Sequence, residues 1–542
     1  MRLRRPIVAS LSVALCFVVV AHAAWALAAD DVVQVDAGAI SGQRVGNDPA
    51  IRVYKGIPFA AAPVGKLRWQ PPQPVASWRG VRECTAFSSI CPQLAYPAGS
   101  VYVQVPQPQS EDCLYLNVWT GAEKATADGA DEKRPVMVWI HGGALTRGSA
   151  SIPFYDGEAL ARKGVVLVSI NYRLGPFGYL AHPALTKESA HGSSGNYGVL
   201  DQIAALEWVR KNIGAFGGDP QRVTIFGESA GSWSVCALVA SPLAKGLFER
   251  AIGQSGGCFA PMQYLKLARH GAPSGEEVGE GLAKILGCDQ AADPLEAMRA
   301  KTAEALVAAA AKDPAQARMR AIVDGWVFPQ EIAKIYADGQ QNLVPVLVGS
   351  NADEGTSLAG AMAPTSMDGF LGATKKKFGD LTERFLKVYP TTSDSDVREA
   401  FLHSFRDERF TWEMRTWARM MQKAGAKSYL YYFSHVPPRP DAAKLGAYHA
   451  AEIPYVFNNL SKTPWGNSPS EQALAEEMSA CWVCFAANGD PNGGGLPSWS
   501  AYDAEKETYL EFGNAKIGTG AALLKAECDF FDAYAAAKHA EN

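Results

Sequence analysis

A serine held between two glycines is the first feature of the sequence that could carry out chemistry. In TIFGESAGSWSV (224–235), Gly227 and Gly231 stand two positions on either side of Ser229, after the apolar run 222–226. A buried strand that enters a tight turn and then a helix exposes such a hydroxyl, and the crowded turn requires small residues. The pattern predicts a nucleophile elbow, with an ordinary glycine-rich turn as the alternative.

A second glycine-rich segment could supply an oxyanion hole. The sequence VWIHGGALTRG (138–148) places His141-Gly142-Gly143-Ala144 directly after an apolar run. Backbone N–H groups of such a loop, with those at the start of the helix after Ser229, can stabilise the charge that develops on a carbonyl oxygen. The alternative is an ordinary turn between a strand and a helix, but both segments in one chain favour acyl transfer.

Short apolar runs without alternation predict the strands that position these loops. They occupy residues 135–140, 164–171, 222–226, 344–349 and 428–433. Strands buried on both faces have this composition, because helices cover both faces of a parallel sheet. Residues 199–213 predict one such helix. We therefore expect an α/β fold with a large, mostly parallel central sheet flanked by helices.

The rest of the chain adds flanking elements rather than a second domain. Residues 32–45 predict a hairpin around Gly38, and the proline-rich residues 57–72 predict an irregular surface segment. Residues 358–425 are mostly helical in pattern and predict a cap or flank. No linker divides the chain.

The N-terminus predicts export. Three arginines within the first five residues precede the apolar stretch 7–20, and small residues follow, with a plausible cleavage site at 26–28. We predict a signal peptide over 1–28, a single mature domain over 29–542 and a secreted or periplasmic protein. A retained anchor is the alternative, although the apolar stretch is short for a membrane span.

Charge and cysteine content exclude several functions. Lys and Arg number 51 against 55 Asp and Glu, and removing residues 1–28 leaves 48 against 55. This mild acidity argues against nucleic-acid partners.

Cys481 and Cys484 form a lone CxxC, which we interpret as a helix face or one disulfide partner rather than a zinc site. No motif predicts a metal or a cofactor.

Taken together, the motifs resemble those of the type-B carboxylesterases, the cholinesterase-like branch of the α/β-hydrolases. The resemblance covers nearly the whole mature chain and implies the α/β-hydrolase fold, a small-molecule ester substrate and no cofactor. It is carried by YKGIPFAAAPVGKLRW (54–69), SEDCLYLNVW (110–119), HGGA (141–144), the segment 195–231 that ends in FGESAG, SPLAKGLFERAIGQSG (241–256), GSNADEG (349–355), YHAAEIPYVF (448–457) and FAANGDPN (485–492).

The resemblance also implies a catalytic triad. It makes Ser229 the nucleophile, Glu354 of the Asp-Glu-Gly turn the acid and His449 the base, in the chain order of α/β-hydrolases. Asp353 is the alternative acid and His435 the alternative base.

By the same resemblance, the N–H groups of Gly143, Ala144 and Ala230 receive the oxyanion. Ala144 stands where many relatives have glycine, so its N–H remains while its methyl group narrows the pocket.

Further residues match family positions beside the site. Glu228 and Glu452 match flanking carboxylates, which either share a proton or bind water, or belong to a structural network; Ser255 matches a buried serine that is structural by default. Cys91 and Cys113 match the family's disulfide that closes a loop at the rim of the site. The pairings of the other mature cysteines stay open: Cys84, Cys236, Cys258, Cys288, Cys481, Cys484 and Cys528.

The substrate is predicted only as a broad carboxylic ester. No tryptophan lies between Cys91 and Cys113, where cholinesterases have their platform for a quaternary ammonium, which argues against acetylcholine. Trp233 is assigned to the core rather than to a pocket wall. The alternatives are a lipase or amidase on the same scaffold, and a non-catalytic binding domain, which usually lacks the serine kept here.

Overall fold

The computed structural model describes residues 32–45, 50–122, 133–313, 319–465 and 468–540. Its strands are β1 Val32–Val35, β2 Gly38–Ser41, β3 Gln43–Arg44, β4 Arg52–Pro58, β5 Val81–Glu83, β6 Tyr115–Thr120, β7 Arg134–Ile140, β8 Val166–Ile170, β9 Gly218–Glu228, β10 Arg250–Gln254, β11 Val346–Asn351, β12 Ser428–Phe433, β13 Thr508–Phe512 and β14 Ile517–Ala521.

Eleven of these strands form one sheet in the order β14-β13-β12-β11-β10-β9-β7-β8-β6-β4-β3. Pairing is parallel from β13 through to β8 and antiparallel at both ends of the sheet. Strands β1, β2 and β5 form a separate small sheet, in which β1 and β2 are the predicted hairpin. The prediction of a mostly parallel central sheet is confirmed.

Helices connect and cover the strands. They are α1 Glu158–Arg162, α2 Gly175–Tyr179, α3 Pro183–Glu188, α4 Tyr197–Asn212, α5 Ala230–Ala240, α6 Gly275–Ile285, α7 Pro294–Arg299, α8 Ala303–Ala310, α9 Ile332–Ala337, α10 Glu354–Leu358, α11 Met367–Phe378, α12 Thr382–Val388, α13 Asp394–Arg406, α14 Trp412–Lys423, α15 Ala442–Leu445, α16 Ile453–Val456, α17 Pro469–Asn488 and α18 Lys525–Ala540. A π-helical turn, Asp407–Thr411, joins α13 to α14.

The sheet separates two hydrophobic cores. Strand β7 shows this directly: Val136 and Val138 belong to the core that contains α4 and α5, whereas Met137 and Trp139 belong to the core that contains α17. Successive side chains of a strand point to opposite faces, so a strand covered on both sides has no polar face. This explains why β7, β8 and the second half of β9 are mostly apolar rather than alternating in sequence.

The elements predicted from the sequence lie close to their expected positions. The predicted strands correspond to β7, β8, β9, β11 and β12, the predicted helix corresponds to α4, and helices α11 to α14 fill most of residues 358–425. The predicted signal peptide lies outside the described residues. Within the described ranges, no helix combines the length and apolarity that crossing a membrane requires.

Candidate active site

Ser229 lies in a sharp turn between a strand and a helix. Strand β9 ends at the preceding residue and α5 begins at the following one, and Ser229 has φ 56° and ψ −121°, a strained conformation for a residue with a side chain. A Cβ on Gly227 would lie 2.6 Å from the Gly231 carbonyl carbon, and a Cβ on Gly231 would lie 2.0 Å from the Ile140 oxygen. Both glycines are therefore required by the turn, as the sequence predicted, and Ser229 itself stays half-buried.

His449 and Glu354 form a buried hydrogen-bonded pair. Glu354 opens α10 just after β11; its Oε1 accepts the Asn351 amide at 2.8 Å, and its Oε2 lies 2.6 Å from Nδ1 of His449. Glu354 has no exposed surface and His449 is only 3% exposed. A carboxylate bound to Nδ1–H selects the imidazole tautomer whose other nitrogen, Nε2, can accept a proton.

The alternative acid and base have other partners. Asp353 accepts the Ala447 amide at 2.8 Å and so holds the loop that carries His449. His435 pairs through Nε2 with Glu471 at 3.0 Å in a separate buried cluster. Neither Asp353 nor His435 takes part in the hydrogen bond between Glu354 and His449.

The free nitrogen of His449 faces a second carboxyl group rather than the serine hydroxyl. Nε2 lies 3.1 Å from Oε1 of Glu228, the residue before Ser229. That oxygen has no hydrogen-bond partner, so the contact is an electrostatic approach without an aligned N–H. Among the described residues, no hydrogen bond joins Ser229 Oγ to His449. The structure thus brings Glu228, rather than Ser229, into contact with the ring.

Three carboxyl groups surround the imidazole. Burial raises the pKa of Glu228 to about 8, with further increases from the charges of Glu452 and Glu354. Burial also raises the pKa of Glu452, which accepts hydrogen bonds from Gln254 at 2.9 Å and from an asparagine of β11. Burial lowers the pKa of His449, but the charges of Glu228 and Glu354 outweigh it and raise that pKa to about 9. Each of these three shifts favours the protonated form of the group concerned.

The glycine-rich loop after β7 packs directly on the serine. A Cβ on Gly142 would lie 3.1 Å from Ser229 Cβ. Gly143, Ala144 and the next residue all have positive φ, of 110°, 57° and 60°. The backbone of the loop is therefore neither helical nor extended at these positions. Within the described residues, the N–H groups of Gly143, Ala144 and Ala230 make no hydrogen bond to another protein group. They are free to receive an oxyanion.

Ser255 supports the turn from the neighbouring strand. It follows Gln254, whose carbonyl accepts the Ser229 amide at 2.8 Å, and its own amide donates to Gly349 at 2.8 Å. Ser255 is fully buried with φ 55°, and its hydroxyl has no hydrogen-bond partner in the structure. Its backbone, rather than its hydroxyl, fixes the position of the elbow.

Two aromatic residues that the sequence did not single out lie beside His449. The hydroxyl of Tyr102 donates to the His449 carbonyl at 3.1 Å and pairs with Ser357 at 2.7 Å. The ring of Phe410, in the π-helical turn, lies 4.9 Å from that of His449. No local sequence signal marks either residue, since only the fold brings them to the site. Trp233 is half-buried and packs on the core, 6.4 Å from a phenylalanine ring.

The disulfide in the structure differs from the predicted one. Cys236 of α5 is bonded to Cys258 in the loop after β10. Cys91 and Cys113 are buried free thiols in hydrogen-bond contact, and the Cys91 sulfur also accepts a hydrogen bond from the Leu174 amide at 3.3 Å. Their bond is not formed here and remains a prediction for the oxidised protein.

The described residues hold no group of three or more His, Cys, Asp or Glu placed to bind a metal. Cys481 and Cys484 lie on α17 as free thiols, which fits the helix-face interpretation.

Comparisons with known proteins agree on one family. A sequence profile described as the Carboxylesterase family matches residues 29–531. The chain is 37% identical over 497 residues to a fumonisin B1 esterase of Sphingopyxis macrogoltabida, covering 89% of this chain and 87% of the relative. It is 37% identical over 472 residues to a para-nitrobenzyl esterase of Bacillus subtilis strain 168, covering 85% and 91%. A solved carboxylesterase structure from Geobacillus stearothermophilus superposes with a TM-score of 0.78 at 34% identity, covering 92% of this chain and 100% of that one, and it shares the α/β-hydrolase fold.

Proposed function

The chain belongs to the carboxylesterase family and is a carboxylic ester hydrolase, and on this premise we propose that it acts through an acyl-enzyme formed on Ser229. In this proposal His449 is the general base and Glu354 the acid that orients it. The observation that carries the proposal is the 2.6 Å hydrogen bond between Glu354 and His449, buried beside a strained, half-buried serine. This combination is what activation of a weak nucleophile requires.

The reaction follows from the orientation of the ring. With Nδ1–H bound to Glu354, Nε2 of His449 accepts the proton of Ser229 as Oγ attacks the ester carbonyl carbon. The imidazolium then returns this proton to the leaving alcohol as the carbon–oxygen bond breaks. Water, deprotonated by the same nitrogen, releases the acid and restores the serine. Glu354 stays ionised throughout and stabilises the charged ring.

A small closing motion completes this arrangement. In the structure Nε2 faces Glu228, and the hydroxyl of Ser229 has no hydrogen-bond partner among the described residues. In the proposed mechanism a rotation about the Cα–Cβ bond of Ser229 turns Oγ toward the ring, and Oγ has no hydrogen bond to a described residue that would oppose this rotation. Catalytic hydrogen bonds are often long in free enzymes and shorten when substrate binds.

The tetrahedral intermediate is stabilised by backbone donors. We assign the oxyanion hole to the free N–H groups of Gly143, Ala144 and Ala230, since the loop after β7 packs on the serine and α5 presents its first amide there. Each donor of this kind is worth about 3 kcal/mol of barrier.

Glu228 tunes the base through its charge, because its ionised carboxylate raises the pKa of His449 and its neutral carboxyl group does not. When Glu228 is ionised it raises the pKa of His449, whereas burial favours its neutral form. The base works only when the ring is neutral, so a protonated Glu228 extends activity toward lower pH. Glu452, hydrogen-bonded and buried nearby, helps to keep Glu228 neutral through its charge.

Replacing Glu228 by glutamine tests this role. The neutral amide cannot stabilise the imidazolium, so the pKa of His449 falls and the acidic limb of the kcat/KM profile moves to lower pH by about one unit. Profiles from pH 4 to 9 on a neutral p-nitrophenyl ester measure the shift, with the exposed Glu207→Gln as a control. An acidic limb that stays in place or moves to higher pH contradicts the role.

Export and organisation are proposed from the sequence. We propose that residues 1–28 direct secretion to the periplasm or the medium and that 29–542 form one functional unit. The mass of the mature protein isolated from each cell fraction tests the export of the protein, since retention of residues 1–28 would indicate an anchor.

An ester panel tests the proposed activity. Purified mature protein is assayed on p-nitrophenyl and p-nitrobenzyl esters of short acids, on matching anilides and on emulsified long-chain esters. We expect Ser229-dependent hydrolysis of the soluble esters. Faster turnover at an emulsion surface would favour a lipase, anilide cleavage an amidase, and no turnover at all the binding domain.

A further inference from the structure

We propose that Arg147 and Tyr96 bind a carboxylate carried by the substrate, so that the preferred esters are those with an anionic group near the scissile bond. This inference rests on the proposed ester hydrolysis and specifies its substrate class. Arg147 belongs to the same loop as Gly143, and its amide donates to the Gly143 carbonyl at 2.9 Å. The turn that orients the oxyanion donors therefore also fixes the backbone of Arg147.

The guanidinium of Arg147 is held in place at one end. Its Nε donates to the Leu94 carbonyl at 3.1 Å, and its Cζ lies 5.3 Å from the centre of the Tyr96 ring. Gln93 binds the neighbouring Gly148 twice, donating to its carbonyl at 2.9 Å and accepting its amide at 2.7 Å. The segment 93–96 and the loop after β7 are thus fastened together, which limits the movement of the arginine.

The two terminal nitrogens of the guanidinium have no partner in the described part of the chain. Within the described part of the chain, Nη1 and Nη2 of Arg147 make no hydrogen bond and no ion pair, and the hydroxyl of Tyr96 makes no hydrogen bond. Arg147 is half-buried, so it has lost part of its hydration without gaining a protein carboxylate in return. Two parallel N–H groups and a phenol hydroxyl form a donor set that fits the two oxygens of a carboxylate.

Contacts on the other side of Tyr96 lead toward the reacting groups. Its ring lies 5.8 Å from that of Tyr102, whose hydroxyl bonds the His449 carbonyl. Burial and the charge of Glu228 raise the pKa of Tyr96 to about 12, while Arg147 lowers it, so both charges act on one phenol. Tyr96 therefore lies between the arginine and the imidazole.

The carboxyl groups around the imidazole give the unpaired guanidinium of Arg147 a function. Glu228, Glu354 and Glu452 surround the imidazole and would repel an anionic substrate. Arg147 is not the counter-ion of Glu228, because the charges that set that carboxyl's pKa are those of His449, Glu452 and Glu354. A free guanidinium at the rim offsets the repulsion for a substrate that carries its own carboxylate.

Matched charged and neutral esters test the proposal. On the acyl side, p-nitrophenyl hydrogen glutarate is compared with p-nitrophenyl valerate; on the alcohol side, 4-butyryloxybenzoate is compared with phenyl butyrate. For Arg147→Gln we expect the ratio of kcat/KM for the charged ester over the neutral one to fall about 10- to 100-fold in one of the two pairs. For Arg147→Lys this ratio should fall less, because the positive charge remains although the planar guanidinium is lost. For Tyr96→Phe the ratio should fall a few-fold.

Controls separate recognition from loop structure. Arg82 is exposed and stacks on the Trp78 ring at 5.5 Å, so Arg82→Gln removes an equivalent charge from another surface and should leave both ratios unchanged. If the ratios also stay unchanged in Arg147→Gln, the proposal is overturned. The same holds if Arg147→Gln lowers kcat/KM equally for charged and neutral esters, which would assign Arg147 to loop structure.

A binding measurement completes the test without turnover. Millimolar glutarate should raise the Tm of the wild-type protein more than that of Arg147→Gln. Equal shifts would overturn the anion subsite even if no ester were hydrolysed. Conversely, Ser229-dependent hydrolysis of neutral esters with unchanged ratios would leave the proposed function standing and remove only this inference.

Discussion

Replacing Ser229 by alanine is expected to lower kcat for ester hydrolysis by about 10⁵- to 10⁶-fold. In the proposed mechanism the change removes the atom that forms the acyl-enzyme, and only the binding groups and the proposed oxyanion donors remain to accelerate attack by water. Because Ser229 Oγ makes no hydrogen bond among the described residues, the variant should unfold at nearly the wild-type Tm. Steady-state kinetics on a p-nitrophenyl ester and a thermal unfolding scan measure the two quantities.

The exposed Ser500→Ala variant provides the matched control for this loss, and it should keep wild-type kcat. Residual activity within about a hundredfold of wild type in Ser229→Ala, in a preparation free of host esterases, would show that another group is the nucleophile.

Replacing His449 by alanine should lower kcat by about 10⁴- to 10⁶-fold. Ser229 then has no base, and Glu354 is left as a buried carboxyl without its partner. Removing one member of a buried pair is destabilising, so we also expect a lower Tm. Kinetics are therefore measured at a temperature at which circular dichroism shows the variant to be folded.

His435→Gln is the matched comparison for the base. His435 is buried and pairs with Glu471, as His449 pairs with Glu354, but it lies in a different cluster. We expect His435→Gln to lose stability while kcat stays within about tenfold of wild type. If it loses as much activity as His449→Ala, or if His449→Ala remains active, the assignment of the base is wrong.

The fold could be predicted from the sequence wherever a strand is buried on both faces, because such burial requires a run of apolar residues. Strands β7 and β8 and the second half of β9 are covered on both faces and appear in the sequence as mostly apolar runs. Strand β10, Arg250–Gln254, was not predicted, because its arginine, glycine and glutamine interrupt the apolar pattern. Its place between β9 and β11 depends on the long-range pairing of the sheet rather than on its own composition.

The site could be predicted only in part. The elbow motif is local and can be recognised from residues 224–235 alone, although the crowding at Gly231 comes from Ile140 at the end of β7. Glu354 and His449 are 95 residues apart, and only the resemblance to a family chose them over Asp353 and His435. Their hydrogen bond supports that choice.

Features that arise from packing could not be predicted at all. The approach of Glu228 to His449 depends on side-chain orientation within a closed cluster. The contact of Phe410 depends on a π-helical turn that leaves no clear trace in composition. The thiol contact of Cys91 and Cys113 and the bond between Cys236 and Cys258 likewise follow from distances in the fold.

Covalent labelling tests the central claim most directly. The protein is incubated with a fluorophosphonate, digested and analysed by mass spectrometry, with Ser229→Ala and His449→Ala treated in parallel. We expect one phosphonate per chain on Ser229, none in the serine variant and much slower labelling in the histidine variant. A phosphonate on a different residue, or an undiminished labelling rate without His449, would contradict the central claim.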